Sequence, residues 1–176
     1  MTDLLTLETS RLRLVAANAS LLHLELEDCG RLYSILDVGA PTEWPPPLND
    51  DASLRYFIKM LEQDITYAGW ASWYVIEKPH ALTGNCGFKG KPDAAGMVEI
   101  GYSIIPSRQR QGLASEAVAA LLAWCQERGA KKVIAETFPE LVSSIRVMQK
   151  NGFVPDGNGS EPGVIRYCRV LSPQDQ

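Results

Sequence analysis

One segment of the chain combines residue types that bind an anion with the backbone geometry that can present them. Residues 97–105 are mostly apolar and are stopped by Pro106, after which a short polar turn leads through Gly112 into a helical pattern. The first turn of a helix carries unpaired N–H groups and a partial positive charge. Gly112 lets a phosphate approach without a Cβ in the way, and Ala114 keeps that approach open. This corner therefore predicts a phosphate site.

The residues of this corner also allow a second interpretation. Arg108 and Arg110 add positive charge, but the two common phosphate loops, GxxxxGK[ST] and GxGxxG, are both absent from the sequence. One glycine before one helix is also typical of an ordinary polar connection between a strand and a helix. On the residues alone, both interpretations stay open.

The rest of the chain supplies the elements that must position the corner. Hydrophobic patterning predicts strands over 12–15, 70–77, 82–89, 97–105, 132–137 and 164–171. It predicts helices over 20–36 with Ser20 as N-cap, from Asp50 or Asp51 onward, over 113–128 and over 142–151. Strands that first follow one another and then alternate with helices predict a mixed sheet covered by helices. No repeat or linker interrupts the 176 residues, so we expect one domain over 1–176.

Composition excludes several classes of function. A net charge of −4 argues against sequence-independent binding of nucleic acid. No apolar run is long enough to span a bilayer, and residues 1–8 do not read as a signal peptide. Four widely separated cysteines predict reduced, mostly buried thiols in a cytoplasmic protein, and two isolated histidines predict no metal site.

The phosphate corner resembles a known signature. Residues 99–106, followed by Gln109-x-x-Gly112-x-Ala114, look like the coenzyme A signature of the GNAT superfamily of acetyltransferases. Residues 144–153 are similar to the final helix of the branch that includes ribosomal-protein alanine N-acetyltransferases, and residues 7–14 resemble its opening strand. Three matching segments stand in the right order between residues 7 and 170.

The resemblance implies a fold and a way of binding acetyl-coenzyme A. The fold would be α/β (mixed α+β), with a splayed, mostly antiparallel sheet of six to seven strands and about four helices. The fourth and fifth strands, 98–105 and 132–137, would part to admit the pantetheine arm, which would pair with the backbone of Ile104 and Ile105. A backbone N–H near Ile104 would steady the oxyanion. The pyrophosphate would lie in the loop formed by Gln109, Arg110, Gln111, Gly112, Leu113, Ala114 and Ser115.

Two positions depart from the pattern of many relatives. Leu141 stands where an Asn often contacts coenzyme A, and Met148 stands where a Tyr often acts as general acid. Ser144 is then the nearest candidate proton donor. The thiol of the leaving group has a pKa of about 8.5 and needs little help, so we expect loss of Ser144 to cost less than loss of the phosphate loop.

The proposed chemistry is direct transfer of an acetyl group to a primary amine. Glu99, an acid in an otherwise apolar strand, is the candidate base; the alternative is that it faces solvent or pairs with an arginine. Tyr102 lies on the opposite side of that strand and is not expected to share its role. A covalent route through Cys125 or Cys168 is disfavoured because neither has the setting of an activated thiol.

The acceptor cannot be read from the residues. A protein N-terminus and a small-molecule amine both fit, and the oligomeric state stays open, with a homodimer as one expectation from the resemblance. Residues 44–47 and the loop around Gly69 and Trp70 are candidate substrate walls, although Trp44 could equally cover the core. Two other functions compete: a coenzyme A-binding regulatory module that has lost its acid and base, and a nucleotide-binding α/β protein.

Overall fold

An eight-stranded sheet carries five α-helices on its two faces. The computed structural model describes residues 4–172. The strands are β1 Thr6–Glu8, β2 Leu12–Ala16, β3 Ser72–Glu77, β4 Ala81–Phe88, β5 Met97–Ile104, β6 Lys132–Thr137, β7 Val154–Asn158 and β8 Ile165–Val170. The helices are α1 Ala19–Glu27, α2 Cys29–Leu36, α3 Asp51–Gln63, α4 Leu113–Glu127 and α5 Val142–Lys150. The strand order is β1-β2-β3-β4-β5-β6-β8-β7.

The sheet separates two hydrophobic clusters. Helices α4 and α5 cover one face together with Trp73, and helices α1, α2 and α3 cover the other face together with Tyr74. Trp73 and Tyr74 are neighbours on β3, so the alternation of a strand sends them to opposite clusters. Within residues 4–172, no helix is long and apolar enough to cross a lipid bilayer.

The mixed, mostly antiparallel sheet predicted from the sequence is confirmed, with eight strands rather than six or seven and five α-helices rather than four. The additional strand β1 spans three residues, and β7 contains Pro155 and Gly157, which disfavour strands except at a sheet edge. The predicted helix 20–36 is two helices. Asp28 separates them because its side chain accepts the Arg31 N–H and caps α2.

The N-cap predicted at Ser20 was wrong. Asn18 caps α1 instead, since its side-chain oxygen accepts the Leu21 N–H at 2.9 Å. Asp50, one of the two caps predicted for the next helix, does cap α3 by accepting the Ser53 N–H at 2.8 Å. Both caps are short polar side chains with free oxygens, which satisfy the unpaired donors of a first turn.

Strands β5 and β6 meet only briefly, as predicted. They pair in parallel at Met97–Lys132, Val98–Val133 and Glu99–Ile134, and beyond Glu99 strand β5 pairs only with β4. Every other neighbouring pair in the sheet is antiparallel. The two strands therefore open a gap in the middle of the sheet, with α4 starting just beyond the end of β5.

Candidate active site

A cavity of about 1010 Å³ lies at the gap between β5 and β6. Its lining includes the ends of β4, β5 and β6, the corner leading into α4, the segment before α3, parts of α3 and α5, and the loop at residues 160–164. The sequence-predicted residues that line it are Ile104, Gln109, Arg110, Gly112, Leu113, Ala114, Ser115 and Ser144. Glu99, Ile105 and Gln111 are not among the lining residues.

The corner at the start of α4 presents unpaired N–H groups to this cavity. Gly112 is the N-cap of α4 with φ of 80°, and no side chain caps the helix. The first backbone bond of the helix runs from the Glu116 N–H to the Gly112 carbonyl at 3.1 Å. Among residues 4–172, no acceptor takes the N–H groups of residues 113–115. An anion placed there would meet donors already oriented toward it.

Arg110 adds strain and charge to the same corner. Its φ of 60° is left-handed, which is uncommon for a residue with a Cβ and concentrates at functional sites. Arg110 is exposed, whereas the Arg108 guanidinium lies 3.1 Å from the Glu77 carboxylate. Of the two arginines predicted to supply mobile charge, Arg108 is therefore already engaged by the protein.

Arg11, in the turn between β1 and β2, braces the corner. Its Nη1 donates to the Gln111 carbonyl at 2.9 Å, and its Nε lies 2.7 Å from Oε2 of Glu116. The Thr9 hydroxyl also donates to Glu116, at 2.6 Å. Burial acts to raise the pKa of Glu116, but the hydrogen bonds from Thr9, Arg11 and Ser10 outweigh it and lower that pKa to about 2. The opening segment thus holds the turn whose carbonyl and N–H groups shape the anion site.

The backbone of β5 offers hydrogen-bonding groups to the gap. The bonds toward β4 belong to odd-numbered residues, since Lys89 N–H donates to the Glu99 carbonyl at 3.0 Å and Ile105 N–H donates to the Thr83 carbonyl at 2.9 Å. Residues of an antiparallel pair alternate between bonded and non-bonded positions. The N–H groups of Tyr102 and Ile104 therefore face the gap.

This alternation corrects one predicted site residue. The Ile105 N–H is used by Thr83, and the Ile105 carbonyl accepts the Arg108 N–H at 3.0 Å, so Ile105 is not placed to pair with a substrate. The Ile104 carbonyl accepts the Gln109 side-chain amide at 2.9 Å, which ties the predicted loop to the strand. The Ile104 N–H stays directed to the gap, where the sequence analysis placed an oxyanion donor.

Ser144 meets a tyrosine hydroxyl at the cavity. The Tyr102 hydroxyl donates to the Ser144 backbone carbonyl at 3.0 Å and lies 3.1 Å from the Ser144 Oγ. Burial raises the pKa of Tyr102 to about 12, against a smaller lowering by its bond to Ser144. Tyr102 therefore stays protonated near neutral pH and holds the backbone of the first turn of α5. Its pairing with Ser144 was not predicted, because sequence spacing does not show which helix will pack against β5.

The two departures from the family pattern differ in their position. Leu141, the N-cap residue of α5, is 38% exposed and lines the cavity without offering a polar group. Met148 is 1% exposed and packs in the core, so the position where relatives often carry a tyrosine contributes no proton donor here.

Glu99 lies on the other face of β5 from Tyr102. Its carboxylate forms an ion pair with the Lys89 ammonium, and Lys89 lines the cavity. The sequence left open that Glu99 faces solvent or pairs with an arginine; its partner is a lysine. By alternation, Glu99 shares its face with Ser103, whereas Tyr102 packs against the cluster under α4 and α5.

Three other carboxylates line the cavity, and sequence reasoning missed them. Asp50 caps α3, and Glu136 is bound by the Arg166 guanidinium at 2.8 Å and by the Ser160 hydroxyl at 2.6 Å. Glu161 is exposed, and its carboxylate has no hydrogen-bonding partner among residues 4–172. It lies in a Gly- and Pro-rich loop, a composition that shows a turn but not which site the turn faces.

The structure supports one of the two predicted substrate walls in part and contradicts the other. Trp44 packs on the second cluster and donates to Glu25 at 3.0 Å, which is the core-covering alternative, while Pro47 lines the cavity. The prediction for Gly69 and Trp70 was wrong. Trp70 is buried against Trp124, with ring centroids 4.8 Å apart, and a Cβ at Gly69 would approach the Trp124 ring to 2.4 Å.

The setting of two cysteines disfavours a covalent route. All four are free thiols, and Cys86, Cys125 and Cys168 are buried, as predicted for most of them. Burial raises the pKa of Cys125 to about 12 and that of Cys86 still further above its ordinary value. Since the thiolate is the reactive form, these two side chains are inert near neutral pH.

Comparison with known proteins agrees with this geometry. Residues 20–154 match the family model described as an acetyltransferase (GNAT) domain. The chain is 30% identical over 159 residues to the uncharacterized N-acetyltransferase YjdG of Bacillus subtilis strain 168, covering 88% of this chain and 93% of that protein. It is 26% identical over 143 residues to the ribosomal-protein-serine acetyltransferase of Escherichia coli K12, covering 74% of this chain and 78% of that protein.

A solved structure shares the fold. RimL, a ribosomal L7/L12 α-N-protein acetyltransferase in complex with coenzyme A, superposes with a TM-score of 0.68 at 20% identity. The alignment covers 97% of this chain and 100% of that chain.

Proposed function

The chain belongs to the acetyltransferase (GNAT) domain family, and from that premise we propose that it moves the acetyl group of acetyl-coenzyme A directly to a primary amine. The observation that carries the proposal is the corner at Gly112, where three successive N–H groups at the start of α4 meet the cavity and have no acceptor among the residues that the structure describes. A diphosphate has the charge and the acceptor atoms that such a corner binds.

The remaining residues of the corner fit the same substrate. The Gln109 side chain fixes the end of β5, and Ala114 and Ser115 line the approach. Arg110 offers a positive charge that no carboxylate pairs with in the described part of the chain. The N–H groups of Tyr102 and Ile104 are placed to pair with the amides of a pantetheine arm lying in the gap, in the manner of an added strand. The proposed binding site for coenzyme A therefore includes β5 as well as the loop that follows it.

The two sides of β5 supply the proton transfers. An amine must lose a proton before it attacks, since a free α-amine has a pKa near 8 and a lysine amine near 10.4. Glu99 stands on the face of Ser103, where it can accept that proton through water. The Ile104 N–H would stabilise the oxyanion, and Ser144 on the opposite face would protonate the leaving thiolate.

Glu161 is a second candidate for the base. It lines the cavity directly, which Glu99 does not, and its carboxylate is not engaged by another side chain in the described part of the protein. Glu99, in contrast, must act beside the Lys89 ammonium. Substitution of each carboxylate in turn therefore separates the two candidates.

The acceptor class is the finer part of the proposal. Relatives are named as acetyltransferases of ribosomal proteins, which supports an N-terminal amine as one acceptor for this chain. A small-molecule amine fits the same chemistry. The cytoplasmic location, the single domain over 1–176 and the homodimer stay predictions from the sequence.

The test is release of free thiol from acetyl-coenzyme A in the presence of a panel of amines, with coenzyme A binding followed separately by calorimetry. The proposal expects binding, and thiol release that depends on the amine. Binding without turnover on any acceptor would favour the regulatory module instead. No comparison supports that module, and Ser144 and Glu99 are both present near the cavity.

A further inference from the structure

The segment before α3 forms one wall of the cavity, and we name residues 43–50 the acceptor wall. Four of its residues, Pro47 to Asp50, line the cavity in succession. The wall has no regular structure, so its position depends on the contacts that hold it. One contact is buried and joins Trp44 to Glu25 of α1. The others join the wall to β5 and to the turn that follows it.

The buried contact is made by Glu25 on α1. Its side chain accepts the Trp44 Nε1–H at 3.0 Å and the Tyr74 hydroxyl at 2.8 Å, and the residue is only 8% exposed. Burial raises the pKa of the Glu25 carboxyl, and the two hydrogen bonds offset part of that rise. A carboxylate with two side-chain donors fixes Trp44 in one orientation and so fixes the start of the wall.

The second kind of contact joins the wall to the reaction site itself. The Ser103 hydroxyl of β5 donates to the Pro47 carbonyl at 2.6 Å. The Glu43 carboxylate accepts the Ser107 N–H at 3.1 Å, in the turn that leads to the phosphate corner. The wall is therefore tied to β5 on the face of Ser103, opposite to the face on which Tyr102 meets α5.

Leu48 is the residue that these contacts hold over the cavity. Its side chain is 88% exposed although it lines the cavity, and its φ is 64°. A leucine in the left-handed region is strained, and such strain persists only where the surroundings enforce it. Most large apolar side chains avoid this degree of exposure, so Leu48 has an apolar surface that lacks a partner within the described residues.

We propose that Leu48 selects the acceptor by contacting an apolar group beside its amine, and that Glu25 is a positioning residue that holds Leu48 there through Trp44. The proposal rests on the acetyltransferase function proposed above. The phosphate corner and α5 approach β5 from one face, which leaves the face of Ser103 and the wall to the acceptor. An amine with an apolar neighbouring side chain is therefore bound more tightly than the same amine without one.

The test compares leucine amide with glycine amide as acceptors, because they share the α-amine and differ in the apolar side chain. We expect wild-type protein to show kcat/KM about tenfold higher for leucine amide, the scale of discrimination that apolar contacts provide. Leu48→Ala is expected to remove most of that preference and to leave coenzyme A affinity unchanged. Ile65→Ala is the matched control, since Ile65 is 72% exposed but does not line the cavity.

The positioning role is tested with Trp44→Phe, which keeps an aromatic ring on the second cluster but removes the Nε1–H donor to Glu25 together with part of the indole. We expect its KM for leucine amide to rise several-fold while kcat stays within about twofold of wild type, since the reacting groups are untouched. Glu25→Leu, which removes both acceptors and leaves the Trp44 Nε1–H and the Tyr74 hydroxyl without their partner, is expected to raise KM further. A loss of folded protein alone would lower the apparent kcat and the amount of coenzyme A bound at saturation, and would leave KM unchanged. Active-site titration with coenzyme A measures the amount of active protein.

The outcomes separate the inference from the proposed function. Equal kcat/KM values for the two amides in wild-type protein, or a preference that survives Leu48→Ala, would overturn the role of Leu48. A Trp44→Phe protein with unchanged KM would overturn the role of Glu25. If wild-type protein binds coenzyme A but acetylates no amine at all, the proposed function itself fails.

Discussion

The hydroxyl groups of Tyr102 and Ser144 lie 3.1 Å apart, although the two residues are 42 positions apart in the chain. Tyr102 lies on β5 and Ser144 on α5. The Tyr102 proton is directed to the Ser144 carbonyl at 3.0 Å. The Ser144 hydroxyl is then free to donate to the Tyr102 oxygen or toward the cavity. This pair occupies the side of the cavity where Met148 offers no proton donor.

Ser144→Ala is expected to lower kcat by about tenfold, which is below the roughly 10²–10⁴-fold range for general acid–base catalysis, because a thiolate leaves readily. Tyr102→Phe removes the hydroxyl that orients Ser144, and we expect a similar loss. If the two act as a unit, the double variant loses little more than either single variant. Steady-state kinetics with thiol detection gives these values.

The control for this pair is Ser143→Ala. Ser143 also lies in the first turn of α5 and lines the cavity, but it has no hydrogen bond to Tyr102. We expect its kcat to stay within about twofold of wild type. Two results would contradict a shared role for Tyr102 and Ser144. One is a Ser143→Ala protein with as low a kcat as Ser144→Ala. The other is a double variant whose loss of kcat equals the product of the two single losses.

Glu99→Gln is expected to lower turnover more at pH 7 than at pH 9. More of the amine is already neutral at the higher pH, so less depends on a base. Glu161→Gln is the matched variant, since both changes remove one carboxylate near the cavity. A pH-dependent loss in the Glu161 variant, with an equal loss at both pH values in the Glu99 variant, would assign the base to Glu161.

Glu116→Gln is expected to lower the free energy of unfolding by about 1–2 kcal/mol at pH 7, after allowance for the partial exposure of the pair. The folded pKa of Glu116 is about 2, below the ordinary 4.5, so the native state favours the charged carboxylate. Its stabilisation is present above pH 4.5 and is lost as the pH falls through about 2. Urea unfolding of both proteins at pH 7 and pH 3 measures the difference.

The control for Glu116 is Glu127→Gln at the other end of α4. The Glu127 side chain is 63% exposed and lies 3.6 Å from Arg128, so its removal is expected to cost little. Wild type and Glu116→Gln are compared by their free energies of unfolding. If these differ by as much at pH 3 as at pH 7, the charge of Glu116 is not what stabilises the corner.

The sequence predicted the parts of the site that depend on local pattern. The strand before Pro106, the turn and the helix after Gly112 are adjacent in the chain, so their corner follows from strand and helix signals alone. The parting of the two strands came from family resemblance. The Ile105 assignment failed because hydrogen-bond alternation depends on the register with β4, which no local signal specifies.

The parts that could not be predicted join distant segments. Arg11 braces Gln111 across 100 residues, and Trp44 reaches Glu25 across 19 residues under the sheet. An isolated charged or aromatic residue in a sequence does not show its partner. The break at Asp28 could have been anticipated, since Asp is a strong N-cap residue and stands within the predicted helix.

The central claim is that the corner at Gly112 binds the diphosphate of coenzyme A, and α4 contains its own control. Gly112 and Gly129 flank the two ends of this helix with left-handed φ values of 80° and 89°, so a side chain strains the backbone similarly at both. Only Gly112 lines the cavity, while nothing lies within 4 Å of a Cβ at Gly129. Calorimetric titration of coenzyme A into Gly112→Glu and Gly129→Glu is therefore the most direct test. We predict that Gly112→Glu abolishes binding and Gly129→Glu retains the wild-type affinity; unchanged affinity in Gly112→Glu would contradict the account.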